Sequence, residues 1–405
     1  MYHAHMTGRL PLDGIRILDI GTRIAAPFAA TLLADFGAEV IKVELPVRGD
    51  FMRNIGPFDD NGYSLWWSVE GRNKKSITLD LRKPRGREIF LDLIEKCDVV
   101  VENFRPGTLE KWGLGYPQLA AVHPGIILTR ASVYGQTGPY SQRPGLDRNG
   151  ISFSGLLYLT GYADRPPVRP GIIIADYLTG VFNALSIMIA LYHRDVHRGG
   201  GQSVDLTLYE SLFRILEHTL PAYDKLGIVR ERTGNRLRNS APLDNWETSD
   251  GQYISIAAPG DQLFPRLARA MGRTELIDDP RFCSLSQRAA NGDEINQIVA
   301  DWCLQHTAEE IESVMLEQDV PVARALSIAD IVRDPHYRAR DSFVTVEDTF
   351  AGPIKHPAVY PRFSETPGNI RRPAPGLGEH NDEVYRELLG LDEEDLERLR
   401  DDGII

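Results

Sequence analysis

IRILDIGTRIAAPFAATLLADFGAEVIKVE, residues 15–44, reads as a strand, a helix and a second strand in quick succession. The strands are IRILDI (15–20) and EVIKVE (39–44). The helix is PFAATLLADFG (27–37), with Gly37 placed as its C-terminal stop. A strand that returns through a helix favours a parallel sheet, and the alternation continues outward. SITLDL (76–81) reads as a strand, PRGREIFLDLIEKC (84–97) as a helix, and DVVVENF (98–104) and GIILTRAS (125–132) as further strands. The fold class is therefore α/β, with a Rossmann-like parallel sheet in the larger domain. The turn after the first strand is GTRIAAP (21–27) rather than G-x-G-x-x-G, and Glu44 after the second strand is weak support for a ribose contact. A dinucleotide dehydrogenase is disfavoured.

Past Gly234 the texture changes. GNRLRNSAPLDNWETSDGQYISIAA (234–258) reads as a loop and hairpin, followed by amphipathic helical stretches to about Leu326. The expected organisation is a large α/β domain with a connecting helix over 1–225, a smaller α+β domain over 226–330, and an arm over 331–405. Prolines between Pro353 and Pro375 and the charged helix ERLRDD mark that arm, which is expected to return to the large domain.

With 405 residues the chain can bury a core across two or so lobes. A net charge of −12 argues against nucleic acid, whose phosphates need a basic face, so an anionic ligand must be held by local cations. The three cysteines, Cys97, Cys283 and Cys303, lie at neither metal-ligand nor redox spacing, which points to a reducing, cytoplasmic compartment. MYHAHMTGRLPLDG (1–14) has no apolar signal core. GVFNALSIMIALY (180–192) is too short to span a bilayer and is expected as a helix buried in a soluble core, so no membrane association is expected. There is no HExxH or CxxC, the ten histidines are scattered, and Ser152 and Ser154 in NGISFSG lack the spacing of a nucleophile elbow.

PPVRPGIIIADYLTGVFNALSIMIALYHR (166–194) sets Asp176 at the start of an apolar helix, where backbone N–H groups and the helix dipole favour a carboxylate anion. Taken alone, these residues leave a helix cap as the simpler explanation, since aspartate is a preferred capping residue.

A resemblance spread over nearly the whole chain changes that balance. It is carried by LDGIRILDIG, ADFGAEVIKVE, RNKKSITLDLR, VVVENFRPGTLEKWGLG, VYGQTGPYSQRPG, the Asp176 segment, GGGQSVDLTLYES and LGEHNDEVYRELLG, in that order. In these the chain resembles the class III CoA-transferases, which include formyl-CoA and carnitine CoA-transferases. The resemblance implies a CoA-binding α/β fold whose two chains interlock as a homodimer, or with a related second subunit, and it matches Asp176 to the family nucleophile. It also places Arg23, Ile24, Ala25, Leu79, Arg82, Asn103, Phe104, Arg105 and Lys111 against CoA, with Lys42 a further candidate. CoA's 3′-phosphate and pyrophosphate need cations or backbone donors, and its adenine needs apolar packing.

Two departures bear on specificity. Formyl-CoA transferase has a glutamine where this chain has Ile24, and a glycine-rich loop where this chain has SAPLDNW (240–246). The family's carboxylate-clamping arginine falls on Leu45, leaving Arg48 as the substitute. The related α-methylacyl-CoA racemases need a histidine where this chain has Leu146, and an α-carbon inversion needs two bases. A noncatalytic subunit is disfavoured by the intact ADYLTG. The reaction implied is CoA exchange between acids through an aspartyl anhydride and an aspartyl-CoA thioester, with no cofactor or metal beyond the CoA ester. Gly135 and Gly138 in YGQTG are candidate oxyanion donors. Arg48, Arg53, Arg72, Arg143, Arg148, Arg236 and Arg238 lie on segments expected to edge the cleft, which suggests small dicarboxylates, with succinyl-CoA as donor and a malate-, itaconate- or benzylsuccinate-like acceptor.

Overall fold

The computed structural model describes residues 9–237 and 239–405. Six strands form one parallel sheet: β1 (Arg16–Asp19), β2 (Glu39–Glu44), β3 (Lys74–Thr78), β4 (Val99–Glu102), β5 (Ile127–Ser132) and β6 (Ser203–Thr207). Their order across the sheet is β3-β2-β1-β4-β5-β6, with every neighbouring pair parallel. This is the doubly wound order of dinucleotide-binding folds, reached here without their glycine fingerprint. Ile17, Leu18, Val99, Val100, Ile127 and Leu128 are fully buried, as expected of central strands covered on both faces.

The decisive segment folds as read, with differences at its edges. The first helix runs Pro27–Ala34 and stops before Gly37, which turns the chain with φ +111°; a Cβ there would lie 2.5 Å from that of Leu10. The third strand begins two residues earlier than its apolar run suggested, at Lys74, and ends at Thr78, so Leu79–Leu81 leave the sheet. β6 was not anticipated as a strand. Its residues are only partly buried until Leu206, as befits an edge position, so it lacks an apolar run.

The helix Ile174–Asp195 has 22 residues and is long and apolar enough by composition to cross a membrane. It is not buried all round, as its apolar sequence suggested. Ala175, Thr179, Gly180, Asn183, Ile187 and Ala190 pack inward, and a Cβ at Gly180 would come within 2.8 Å of Phe28. The opposite face, Val181, Leu185, Ile189 and Tyr192, is exposed.

The chain divides into two compact units. One holds residues up to Leu157, Pro170–Lys225 and Asp341–Ile405; the other holds Tyr158–Arg169 and Leu226–Arg340. In the first unit, the C-terminal residues cover edge strand β3. His380 N donates to Ser76 O, Thr78 N donates to Asn381 Oδ1, and Tyr385 donates from its hydroxyl to Thr78 O. Covering an edge in this way removes a row of open backbone groups. The same unit carries the antiparallel hairpin β10 (Phe343–Asp348) and β11 (Gly352–Pro357), which follow the remaining strands β7 to β9 in the chain. The second unit is α+β. Its antiparallel strands β7 (Leu243–Glu247), β8 (Tyr253–Ala257) and β9 (Val322–Arg324) pack with helices around Trp246, Ile254, Phe264, Phe282 and Val299.

Candidate active site

In a doubly wound sheet, the connections after β1 and β4 leave in opposite directions and open a crevice at the strands' C-terminal ends. Two adjoining pockets occupy that place, and Thr22 and Phe104 line both. The first is an apolar slot walled by Ile20, Val43, Leu45, Leu79, Leu81 and Trp112, with Arg82 at its edge. Leu79 and Leu81 reach it because β3 ends early. The second contains Arg23, Ala25, Asn103, Arg105, Arg143 and Asp176.

Buried charge fixes the loop between β1 and the first helix from below. Lys42 Nζ lies 3.3 Å from Asp19 Oδ1 and 2.9 Å from Asp50 Oδ2, and it also donates to the carbonyl of Gly21. Lys74 Nζ bonds Asp19 Oδ2 at 2.9 Å and Pro27 O at 2.8 Å. Asp50 Oδ1 in turn accepts from Arg23 N at 3.2 Å and Met52 N at 2.8 Å. From the β4 side, Asn103 holds the same loop by accepting from Thr22 N at 2.8 Å and donating to Thr22 O at 2.7 Å. Both ends of its amide are thereby used.

Asp176 is the third residue of its helix, so it is inside the first turn rather than at the cap. Asp147, from the helix Asp147–Phe153, supplies the capping acceptor: its Oδ1 accepts from Ala175 N at 2.9 Å and Asp176 N at 3.3 Å. This removes capping as the explanation for Asp176. Its carboxylate accepts no hydrogen bond among the described residues, and it faces the pocket. Burial, and then the nearby Asp147 carboxylate, push its pKa up to about 7, while Arg23 pulls the other way. Loss of solvent and a like charge therefore work against the ionised form that a helix start favours. Beside it, Tyr177 is fixed from two sides, since its hydroxyl accepts from Trp66 Nε1 and donates to Glu70 Oε1, each at 2.9 Å.

Of the residues singled out in the sequence, Arg23, Ala25, Leu79, Arg82, Asn103, Phe104, Arg105 and Asp176 line the two pockets. Others are placed elsewhere. Lys42 is fully buried with its ammonium committed, so it supports the loop and does not face the cleft. Ile24 points into the core with Met52 and Trp67. Lys111 and Arg48 are exposed and outside both linings. Gly135 donates its N–H to Ser132 Oγ at 2.9 Å, which occupies the proposed oxyanion donor, and neither it nor Gly138 lines either of these two pockets. Arg53 pairs with Glu44, Arg72 with Asp35, and Arg236 with Asp244 and Asp293, while Arg238 lies outside the described residues. Asp147 and Asp50 were missed. Asp147 adjoins Leu146 in PGLDRNG, yet nothing in its spacing signals that it caps a helix 28 residues away.

The family model described as CoA-transferase family III matches residues 12–381. The succinyl-CoA–D-citramalate CoA-transferase of Chloroflexus aurantiacus is 46% identical, with 98% of each chain covered. The beta subunit of that organism's succinyl-CoA–L-malate CoA-transferase is 44% identical over 98% of this chain and 99% of its own. A CaiB/BaiF family protein from Brucella suis has a solved structure that superposes with a TM-score of 0.85 at 33% identity, covering 94% of this chain and all of that one. A doubly wound crevice, a carboxylate set into it and a family match along most of the chain agree: this protein belongs to CoA-transferase family III.

Proposed function

We propose that this enzyme moves CoA from succinyl-CoA to a small dicarboxylic acid, with Asp176 as the nucleophile. The observation that carries the reading is the placement of Asp176. It is a pocket-facing carboxylate that accepts no hydrogen bond among the described residues, next to an apolar slot at the switch point of the sheet. The slot suits the nucleotide end of CoA, with Arg105, which has no ion pair among the described residues, near its phosphates, and the thioester then reaches Asp176 past Phe104. The names of the succinyl-CoA-dependent relatives support the substrate class.

A carboxylate oxygen of Asp176 attacks the thioester carbon, the C–S bond breaks, and CoA leaves as the thiolate. The thiolate attacks the aspartyl carbonyl of the mixed anhydride, and succinate departs with the anhydride oxygen. The acceptor carboxylate then attacks the aspartyl-CoA thioester and again releases the thiolate. Attack of that thiolate on the acceptor's acyl carbon gives the new CoA ester and restores Asp176. No net proton is consumed, so no general acid is required. Leu146 stands in the lining where the racemases need a histidine, and no histidine lines the pocket among the described residues, so the second base of an α-carbon inversion is not supplied there.

The exposed stripe Val181, Leu185, Ile189 and Tyr192 repeats at helical spacing. We assign a second copy of the chain to this surface, as the interlocked dimer of the resemblance implies; the subunits of the malate transferase suggest a related chain as the other occupant. Unpaired, buried Cys97 and Cys303 fit a reducing cytoplasm. A matrix of CoA esters against free acids tests the reaction. Exchange between succinyl-CoA and citramalate or malate is expected, and a chain that exchanges no CoA ester with any acid would overturn the assignment.

A further inference from the structure

If both donor and acceptor are diacids, each half-reaction brings a second, unreacted carboxylate into the pocket a short methylene spacer away from the carbon that Asp176 attacks. Desolvating that carboxylate requires a cation, and one that no side chain of the protein already neutralises. Most of the arginines expected around the cleft fail that requirement. Arg53 is bound bidentate to Glu44 at 2.7 Å on both nitrogens, and Arg72 bonds Asp35. Arg48 and Arg148 are exposed and outside the lining.

Three arginines remain in the Asp176 pocket without an ion pair among the described residues: Arg23, Arg105 and Arg143. Two of these are exposed. Arg105 donates to Gln142 O, and Arg143 lies 3.5 Å over the ring of Tyr140. Such solvated positions suit the phosphates of CoA, which stay partly in water. Arg23 differs in two ways. It is half-buried, with its guanidinium 4.1 Å over the ring of Phe51. Its backbone is left-handed, at φ +64°, a conformation that a non-glycine residue keeps only where its surroundings enforce it. Here the enforcement is visible, because Arg23 N is held by Asp50, and Asp50 is locked to Lys42 with both side chains 1% exposed. Like the other two, it lines the Asp176 pocket and not the apolar slot.

We propose that Arg23 is the specificity-determining residue of this enzyme, pairing its guanidinium with the free carboxylate of the acyl group while Asp176 attacks the thioester at the other end. The proposal rests on the transferase reading above. It assigns Arg23 to the acid rather than to CoA, where the family resemblance had put it. The Lys42–Asp50 pair then acts through Arg23, by presenting a preorganised fork to a planar carboxylate.

The test is the ratio of specificity constants for succinyl-CoA and butyryl-CoA, measured on wild type, Arg23→Gln, Arg23→Lys and Arg48→Ala with one acceptor. Wild type is expected to favour succinyl-CoA by at least about a hundredfold. Arg23→Gln is expected to bring the ratio to within about threefold of unity, and Arg23→Lys to an intermediate value, because charge is kept and the fork is lost. Arg48→Ala is expected to keep the wild-type ratio. Equal loss with both donors in Arg23→Gln would show a contact to CoA and overturn the proposal. So would a wild-type ratio near one, or collapse of the ratio in Arg48→Ala. If either Arg23 variant does not fold, the other decides. Failure of wild type to exchange any CoA ester is a different result, and it would remove the transferase reading itself.

Discussion

Two sets of cations flank the loop that follows β1, and they are treated in opposite ways. Below the loop, Lys42, Lys74 and Arg53 are each matched to carboxylates, namely Asp19, Asp50 and Glu44. Above it, Arg23, Arg105 and Arg143 face the pocket with no carboxylate paired to them among the described residues. The difference separates scaffold from site. A buried cation must be neutralised within the fold, because the desolvation cost is otherwise prohibitive. A cation at a binding cleft can wait for an anion that the ligand brings. In a chain of net charge −12, leaving three arginines uncommitted around one carboxylate needs a geometric arrangement that keeps the abundant acids away.

The largest effect should come from removing the group that the upper set surrounds. Asp176→Ala is expected to retain less than about a hundredth of wild-type exchange while CoA-ester affinity stays within roughly tenfold, since the carboxylate supplies a covalent step and little binding. Steady-state rates together with equilibrium binding of a CoA ester check this, and turnover above that level would move the nucleophile elsewhere.

The contrast itself is broken next by exchanging members of the two sets. Lys42→Met leaves the Asp50 carboxylate buried without its counter-ion, while Lys74 still pairs Asp19, and is expected to cost about 3 kcal/mol or more in denaturant unfolding. Arg105→Ala should change stability by less than about 0.5 kcal/mol yet raise KM for every CoA ester about tenfold, whatever the acyl group. Equal stability losses in the two variants would erase the distinction between scaffold and site.

A smaller effect sharpens the electrostatics of the upper side. With the pKa of Asp176 at about 7, kcat/KM should fall as pH drops through that value, because the protonated carboxyl is not a nucleophile. Asp147→Asn keeps an oxygen to accept from Ala175 and Asp176 N–H but removes the like charge. The acid limb should therefore move to lower pH, by about one unit. An unshifted limb would show that Asp147 acts only as the cap.

Sheet and site are unequally legible in the chain. Strand, helix and strand over 15–44 could be read because burial on both faces imposes long apolar runs on central strands, and the helix between them must bury one face. The edge strand Ser203–Thr207 escaped notice for the converse reason, since an edge needs less apolar surface. Asp176 could be singled out from its place at the head of an apolar helix together with the family motifs around it. Lys42 and Ile24 occur in the same motifs as true lining residues, but a motif does not say which face of a turn each side chain takes. The structure turns Ile24 toward Met52 and Trp67, and folds Lys42 beneath Gly21.

By itself, the sequence determined the first five strands of the parallel sheet and the absence of a dinucleotide fingerprint, because these depend on periodicity and local residue type, while the resemblance to the family singled out the carboxylate expected to react. Only the tertiary structure decided which cations are spent and which are free, that Asp147 caps the helix of Asp176 and raises its pKa, and that Arg23 stands left-handed against Asp50. Each of these is a relation between groups far apart in the chain, and the energy of a charge depends on what the fold places around it.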